Sequence, residues 1–338
     1  MSLNLEVLED LARSYWREID SSNIVPDHVI SKLKSEGALS PGEVGLDEIL
    51  EAVRVVSRYS PGLAHVILVN ASAWLATGGS RGGVYAFSIT EPGGGTDIAA
   101  NLKTVAIKAK SGYEISGVKI FTSNAPYADY FVVLASYENA PTLFLAARQD
   151  RIRYEVLEVL GLRGSGASRV EYDNANAELA GTPGKGIREA LRGINLGRAG
   201  YGMIALGIAD RALEVIRDAA SNKIIFGRPL MEYQGVKWTA AELEINRRML
   251  ESLLDKIKKS VSTNGEPDPM LAAIAKVAGA SLAQKASWAA SQILGGRGVS
   301  RGAETERMMR DSRILDIGEG AREVLLDFIG GRVLKRKQ

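Results

Sequence analysis

The chain contains no cysteine, and its only histidines are His28 and His65. Disulfides, thiolate catalysis and cysteine-ligated metals are therefore excluded. Two histidines, both in the N-terminal helical region, read as structural and argue against a histidine-built metal site or a Ser/His/Asp triad. No segment offers the ~18 consecutive apolar residues of a membrane-spanning helix. The stretch Met1 to Asp10 lacks the basic start and apolar centre of a signal peptide, which leaves the cytoplasm as the default location. Charge of one sign is missing too: 42 basic residues stand against 40 acidic, a net +2, which gives no support to nucleic-acid binding. The short basic tail from Arg332 to Lys337 reads as a solvated end. No Gly-x-Gly-x-x-Gly sits between a strand and a helix with an acid behind it, so the Rossmann fingerprint is absent.

What remains is an ordinary globular composition, 46% apolar and 24% charged, in 338 residues, enough for two or three folded units. Residues 1–83 read as a helical domain. Leu5, Leu8, Leu11 and Ala12 recur at helical spacing, as do Val29, Ile30 and Leu33. Ser40-Pro41-Gly42 breaks the pattern, a third periodic stretch covers Leu46 to Tyr59, and Pro61 opens a fourth that ends near Ala76. The glycine-rich run from Gly78 to Gly83 marks a boundary. Residues 84–180 change to short runs rich in Val, Ile, Tyr and Phe, with turns at Ser111-Gly112 and Asn139-Ala140-Pro141. That pattern predicts an antiparallel, barrel-like β domain with no room for crossover helices. Residues 181–338 read as four long helices, beginning at about Ile187, Met231, Met270 and Ala321, and so as a four-helix bundle. The fold class is α+β multidomain.

Two segments carry the chemistry. Phe87-Ser88-Ile89-Thr90-Glu91-Pro92-Gly93-Gly94-Gly95-Thr96-Asp97 is an apolar strand breaking into a glycine loop, whose exposed N–H groups let a flat or phosphorylated ligand approach the main chain. Asp316-Ile317-Gly318-Glu319-Gly320 sets one carboxylate between two glycines just before an apolar helical run. An acid at a helix N-terminus opposing the macrodipole would also look this way. A carboxylate with no side chain on either side has, however, been given room that suits a ligand.

With Gly117-Val118-Lys119-Ile120-Phe121-Thr122-Ser123-Asn124, Phe226-Gly227-Arg228-Pro229-Leu230 followed by Gln234, and Gln292-Ile293-Leu294-Gly295-Gly296, these segments resemble the acyl-CoA dehydrogenase family in order and spacing from about residue 84 onward. The resemblance implies FAD as cofactor, an acyl-CoA substrate, an electron-transferring flavoprotein as acceptor and a homotetramer. It places Phe87, Ile89 and Thr90 along the flavin ring and Thr96 near pyrophosphate and thioester. Phe121, Thr122 and Ser123 would cover the rest of the ring, with Ser123 at its reactive N5. It makes Glu319 the base that removes the α-proton, a role for which burial beside an acyl chain is the expected tuning. Arg198 and Gly320 fall at substrate-binding positions. Lys223, Phe226, Gln234, Gln292, Gly295 and Gly296 would reach cofactor across a subunit interface. No metal is implied. A subset of the family carries its base on the long helix just before the matching arginine; here that position is Gly197.

The chain departs from the family at four places. Lys223 stands for an arginine, keeping the charge but not the bidentate fork. Ile225 stands for a small hydroxyl residue and Ala321 for a threonine. Helix that usually walls the acyl pocket is missing between Ala76 and Val84. These departures leave two alternatives to a dehydrogenase: a flavin oxidase or monooxygenase on the same fold, or a non-catalytic relative. Monooxygenase relatives usually lack the base, so Glu319 speaks against that branch. The glycine at 318 predicts a roomier floor beside the base.

Overall fold

Four helices lead the chain: α1 (Leu5–Ser22), α2 (Asp27–Ser35), α3 (Leu46–Ser57) and α4 (Pro61–Ala76). They are seen in a computed structural model that describes residues 2–79, 81–95, 97–98, 100 and 102–335. Asn4 caps α1 by accepting from the Val7 N–H at 3.2 Å. Pro61 opens α4, every residue of which is buried except Trp74. A helix buried all round has no solvent face because neighbours cover it on all sides.

Seven strands follow: β1 (Tyr85–Ser88), β2 (Val105–Lys108), β3 (Tyr113–Thr122), β4 (Tyr130–Tyr137), β5 (Ala140–Ala147), β6 (Ile152–Val156) and β7 (Ser168–Leu179). Their order is β1-β4-β2-β3-β7-β5, and a further β4–β5 pairing closes the ring into a barrel around Tyr113, Phe131, Phe144 and Tyr172. The expected antiparallel pairing holds for β2–β3, β3–β7, β4–β5, β5–β7 and β6–β7. The strand of the first motif is different: β1 runs parallel to β4, from Tyr85 opposite Tyr130 to Ser88 opposite Val133. It arrives from α4 rather than by a hairpin, so nothing constrains it to run antiparallel.

The C-terminal part holds α5 (Gly186–Asn222), a two-strand hairpin β8 (Ile224–Ile225) and β9 (Arg228–Pro229), α6 (Gln234–Asn264), α7 (Pro269–Leu294), the single turn α8 (Gly296–Val299), α9 (Glu304–Ile314) and α10 (Arg322–Leu334). Asp268 caps α7, accepting from Met270 and Leu271 N–H at 2.8 and 2.9 Å. The four long helices match expectation; α9 was not anticipated, because its charged surface hides the buried Arg307, Met308 and Asp311. One apolar core runs from Leu8, Leu33 and Leu63 through Leu206 and Leu254 to Leu315. Gly193, Gly200 and Gly207 let α5 approach closely, since a Cβ there would collide with Ser72, Leu68 and Ser57 respectively.

Candidate active site

Glu319 sits in the connection between α9 and α10. That connection turns back on itself, with Gly318 N–H donating to Ile314 O at 3.0 Å and Arg322 N–H to Asp316 O at 3.1 Å. Glu319 itself adopts φ 58°, a left-handed conformation that a side-chain-bearing residue holds only under external constraint. Two cations supply it. Arg198 Nε, on α5, donates to the Glu319 carbonyl at 3.0 Å. Lys276 Nζ, on α7 and buried, donates to the carbonyls of Asp316 at 2.9 Å and Gly320 at 2.8 Å. The Asp316 carboxylate accepts in turn from Gln284 Nε2 at 2.8 Å and Arg322 at 3.3 Å.

The Glu319 carboxylate accepts no hydrogen bond from the described residues and lies against Gly197. A Cβ at 197 would come within 2.5 Å of its Cδ and Oε2. Burial pushes its pKa up to about 7, with Arg198 and Lys276 opposing the rise. That is a carboxylate able to accept a proton near neutrality. The backbone N–H groups of Glu319 and Gly320 donate to nothing among the described residues, so two adjacent donors stand beside it.

Sequence reasoning missed Lys276, Tyr201 and His65. Lys276 carried a readable signal, a lone lysine in the apolar run Ala272 to Ala280. Tyr201 lies one turn beyond Gly197, and burial, together with Glu319's charge, raises its phenol pKa. It corrects the expected roomy floor: a Cβ at Gly318 would collide with the Tyr201 hydroxyl, so the phenol already fills that space.

The two motif strands come together beside α5. Ile120 N–H donates to Thr90 O at 2.9 Å, and the Ser88 hydroxyl pairs with Thr122 at 3.0 Å and Tyr172 at 2.7 Å. The Thr122 hydroxyl is thus spent inside the barrel, and only its backbone is left for a ligand. Thr90 and Ser123 differ, since neither side chain has a hydrogen-bond partner among the described residues. Phe87 is half-buried, Ile89 buried, and Phe121 is 60% exposed at φ 56°. The result is an apolar ledge carrying unpaired hydroxyls. The loop behind it is held by the buried Lys119, whose Nζ donates to Ile89 O at 3.1 Å and Glu91 Oε1 at 2.9 Å. Glu91 also accepts from the Lys103 and Thr104 N–H groups. Thr96 lies outside the described residues. Ile89 and Ile194 share one apolar cluster, and Gly197 and Arg198 follow Ile194 by one turn of α5, which puts the ledge and Glu319 on the same side of that helix.

The remaining predicted residues gather elsewhere. Lys223 ends α5, about 37 Å from Arg198 along the helix. Its Nζ donates to Ile293 O at 3.2 Å and lies 3.7 Å from where a Gly295 Cβ would stand. Gly296, Gln292 and Gln234 are exposed nearby in sequence or space, and Phe226, at the hairpin tip, is 94% exposed.

The family descriptions "Acyl-CoA dehydrogenase, middle domain" and "Acyl-CoA dehydrogenase, C-terminal domain" match residues 86–175 and 184–334. An acyl-CoA dehydrogenase of Bacillus subtilis is 32% identical over 272 residues, covering 74% of this chain and 67% of the relative. The chain belongs to the acyl-CoA dehydrogenase family. It is accordingly an oxidoreductase. The human mitochondrial short-chain specific acyl-CoA dehydrogenase is 28% identical over 362 aligned positions, covering 94% of this chain and 85% of that one. The solved butyryl-CoA dehydrogenase of Megasphaera elsdenii superposes with a TM-score of 0.88 at 26% identity, covering 99% of this chain and 100% of that one.

Acyl-CoA dehydrogenases are flavoproteins, and the ledge suits a flavin ring. Its side chains at Phe87, Ile89 and Phe121 are apolar, and the Thr90 and Ser123 hydroxyls have no hydrogen-bond partner among the described residues. The departures from the family are physical as well as textual. Ala321 is the N-cap of α10 and makes no side-chain cap bond. The connection between α4 and β1 is only the segment from Thr77 to Val84.

Proposed function

We propose that this chain catalyses α,β-dehydrogenation of a short acyl-CoA thioester with FAD as cofactor. The observation that carries the reading is Glu319: a carboxylate with no hydrogen-bond partner among the described residues, tuned to about 7, in a loop whose carbonyls are held by Arg198 and Lys276. Thr90, Ser123 and the backbone around Phe87 and Phe121 would hold the flavin ring. Bound there, FAD supplies the acceptor for the β-hydride. Glu319 takes the α-proton onto its carboxylate. Its raised pKa comes from burial, so a substrate that excludes more water strengthens it as a base. The N–H groups of Glu319 and Gly320, unpaired among the described residues, would bond the thioester oxygen as negative charge builds there. The short-chain and butyryl-CoA relatives support a short acyl group.

The distant cluster at Lys223, Phe226, Gln234, Gln292, Gly295 and Gly296 serves the cofactor of a neighbouring subunit in a homotetramer, and an electron-transferring flavoprotein is the acceptor. The test of the central reading is Glu319→Gln. It is expected to fold and bind FAD yet lose anaerobic bleaching by butyryl-CoA, by at least the ~10²–10⁴-fold worth of one acid–base group. Near-normal bleaching would overturn it.

A further inference from the structure

We propose that Tyr201, backed by His65, is the stop that limits the acyl group to a short chain. The proposal deepens the dehydrogenase reading and rests on it. Tyr201 follows Gly197 by four residues on α5, so both face the same way. Gly197 carries the Glu319 carboxylate; Tyr201 occupies the space next to it, with two ring carbons 3.0 Å from where a Gly318 Cβ would stand. The ring is only 3% exposed. From α4, His65 meets it edge-on, with centroids 5.6 Å apart and Nε2 3.4 Å from the phenol oxygen. His65 is 6% exposed, and its Nδ1 finds no partner among the described residues.

A substrate that sets its α-carbon at the Glu319 carboxylate must send its later carbons past the groups that surround that carboxylate. On the side of the loop carbonyls these are Arg198 and Lys276. On the α4–α5 side it is Tyr201, with His65 behind it. Both choices are polar, but the second is a wall of two rings that brace each other. A longer alkyl chain would have to push out a phenol held between α4 and the Gly318 backbone. It would also take from His65 Nε2 its phenol partner, in a ring whose Nδ1 already has none among the described residues, and methylenes return no hydrogen bond. A short acyl group ends before this wall. The glycine at 318 and the tyrosine at 201 therefore act as one element, small on the loop because large on the helix.

The test measures binding without turnover. FAD-loaded, full-length Glu319→Gln protein is titrated calorimetrically with butyryl-, octanoyl- and dodecanoyl-CoA, alone and with Tyr201→Ala, Tyr201→Leu or Tyr201→Phe added. Butyryl-CoA is expected to bind tightest to the parent. Tyr201→Ala and Tyr201→Leu are expected to shift the octanoyl-to-butyryl affinity ratio toward octanoyl by at least about tenfold, in line with pocket-size discrimination of a few methylenes. Tyr201→Phe keeps the ring and is expected to keep the parent's order. Flavin content and thermal midpoint verify folding, and Tyr201→Leu serves if the alanine variant fails to fold. Equal affinity of the parent for butyryl- and octanoyl-CoA, or an unchanged ratio in a folded Tyr201→Ala or Tyr201→Leu variant, would overturn the proposal. Residual turnover in the Glu319→Gln parent would instead count against the base assignment, leaving the affinity ratios to be read on their own.

Discussion

The Glu319 carboxylate rests on the bare backbone of Gly197, where a Cβ would come within 2.5 Å of it. The pair therefore shares one volume, and the acid occupies it from the loop. Gly197→Ala is expected to cut the rate of anaerobic flavin reduction about 100-fold, because a misplacement of about 1 Å at the reacting centre has that effect. Stability should hold or rise, since alanine is favoured over glycine inside a helix by up to about 1 kcal/mol. Rapid-mixing kinetics together with a melting curve check both halves. An unchanged rate would mean that the carboxylate does its work without leaning on 197.

Glu319 also predicts a conflict between stability and function. Its pKa is raised in the fold to about 7 from the ordinary 4.5, so the folded chain binds more protons than the unfolded chain between those values. Stability contributed by this group is thus present at low pH and falls as pH rises from about 4.5 to about 7. Glu319→Gln removes the penalty. At pH 8 the variant is expected to be more stable than the parent by about 1–3 kcal/mol, and the gap should close below pH 4.5. Chemical denaturation at the two pH values measures it. A gap of the same size at both would show that ionisation of Glu319 is not its source.

Lys276 is expected to set where the base titrates. Catalysis needs Glu319 ionised, so flavin reduction should rise with pH through about 7. Of the groups around this carboxylate, Arg198 and Lys276 hold its pKa down and Tyr201 stays protonated; His65, behind Tyr201, is neutral because burial lowers it to about 4. Lys276→Met removes one of the two cations and both of its hydrogen bonds to the loop carbonyls, leaving that of Arg198. The acid limb should move to higher pH, with a lower plateau from the loosened loop. Kinetics from pH 5.5 to 9 decide it; a lower plateau with an unmoved limb would reduce Lys276 to a structural clamp.

The parts of this site written in adjacent residues were legible, and those assembled from separate helices were not. Glu319 announced itself by the glycines on both sides, and the ledge by the continuity of Phe87 to Thr90. Tyr201, His65 and Lys276 lie on α5, α4 and α7. Each sits in an apolar run where periodicity reports burial and says nothing of partners. His65 reads as a core histidine from sequence and is one; only its contact with Tyr201 brings it to the site. The parallel pairing of β1 with β4 was equally hidden, because strand residues record a face but not a direction. The helix α9 was missed because Arg307 and Asp311, buried against each other at 3.3 Å, look like surface charges in sequence.

The exposed apolar residues of α6 should be covered in solution. Trp238, Ile245 and Met249 are 61%, 58% and 67% exposed and recur at helical spacing, and Phe226 projects from the hairpin. Such a stripe marks an interaction surface. Light scattering is expected to show a homotetramer, and Trp238→Asp with Met249→Asp is expected to break it and release FAD. A flavin-replete monomer would separate the distant cluster from cofactor binding altogether.

Ala321 and Lys223 together predict weak cofactor binding that can be repaired. Ala321 is the N-cap of α10 and offers no side-chain acceptor, so Ala321→Thr should stabilise the apoprotein by about 1 kcal/mol through the cap alone. Lys223 is engaged with Ile293 O beside Gly295, a single point charge where an arginine could hold that carbonyl and a phosphate at once. Two effects must therefore be told apart. The cap effect is read from melting of the FAD-free protein, where Ala321→Thr should act and Lys223→Arg should not. The cofactor effect is read from titration of apoprotein with FAD, where the double variant should bind about tenfold more tightly, as one or two added charge-assisted or hydroxyl hydrogen bonds allow. A higher melting point with unchanged FAD affinity would assign Ala321 to the helix alone and leave Lys223 as an adequate substitute. Weaker binding in the double variant would mean that the present residues are matched to each other, and that the family's usual pair no longer fits the space around Ile293 and Gly295.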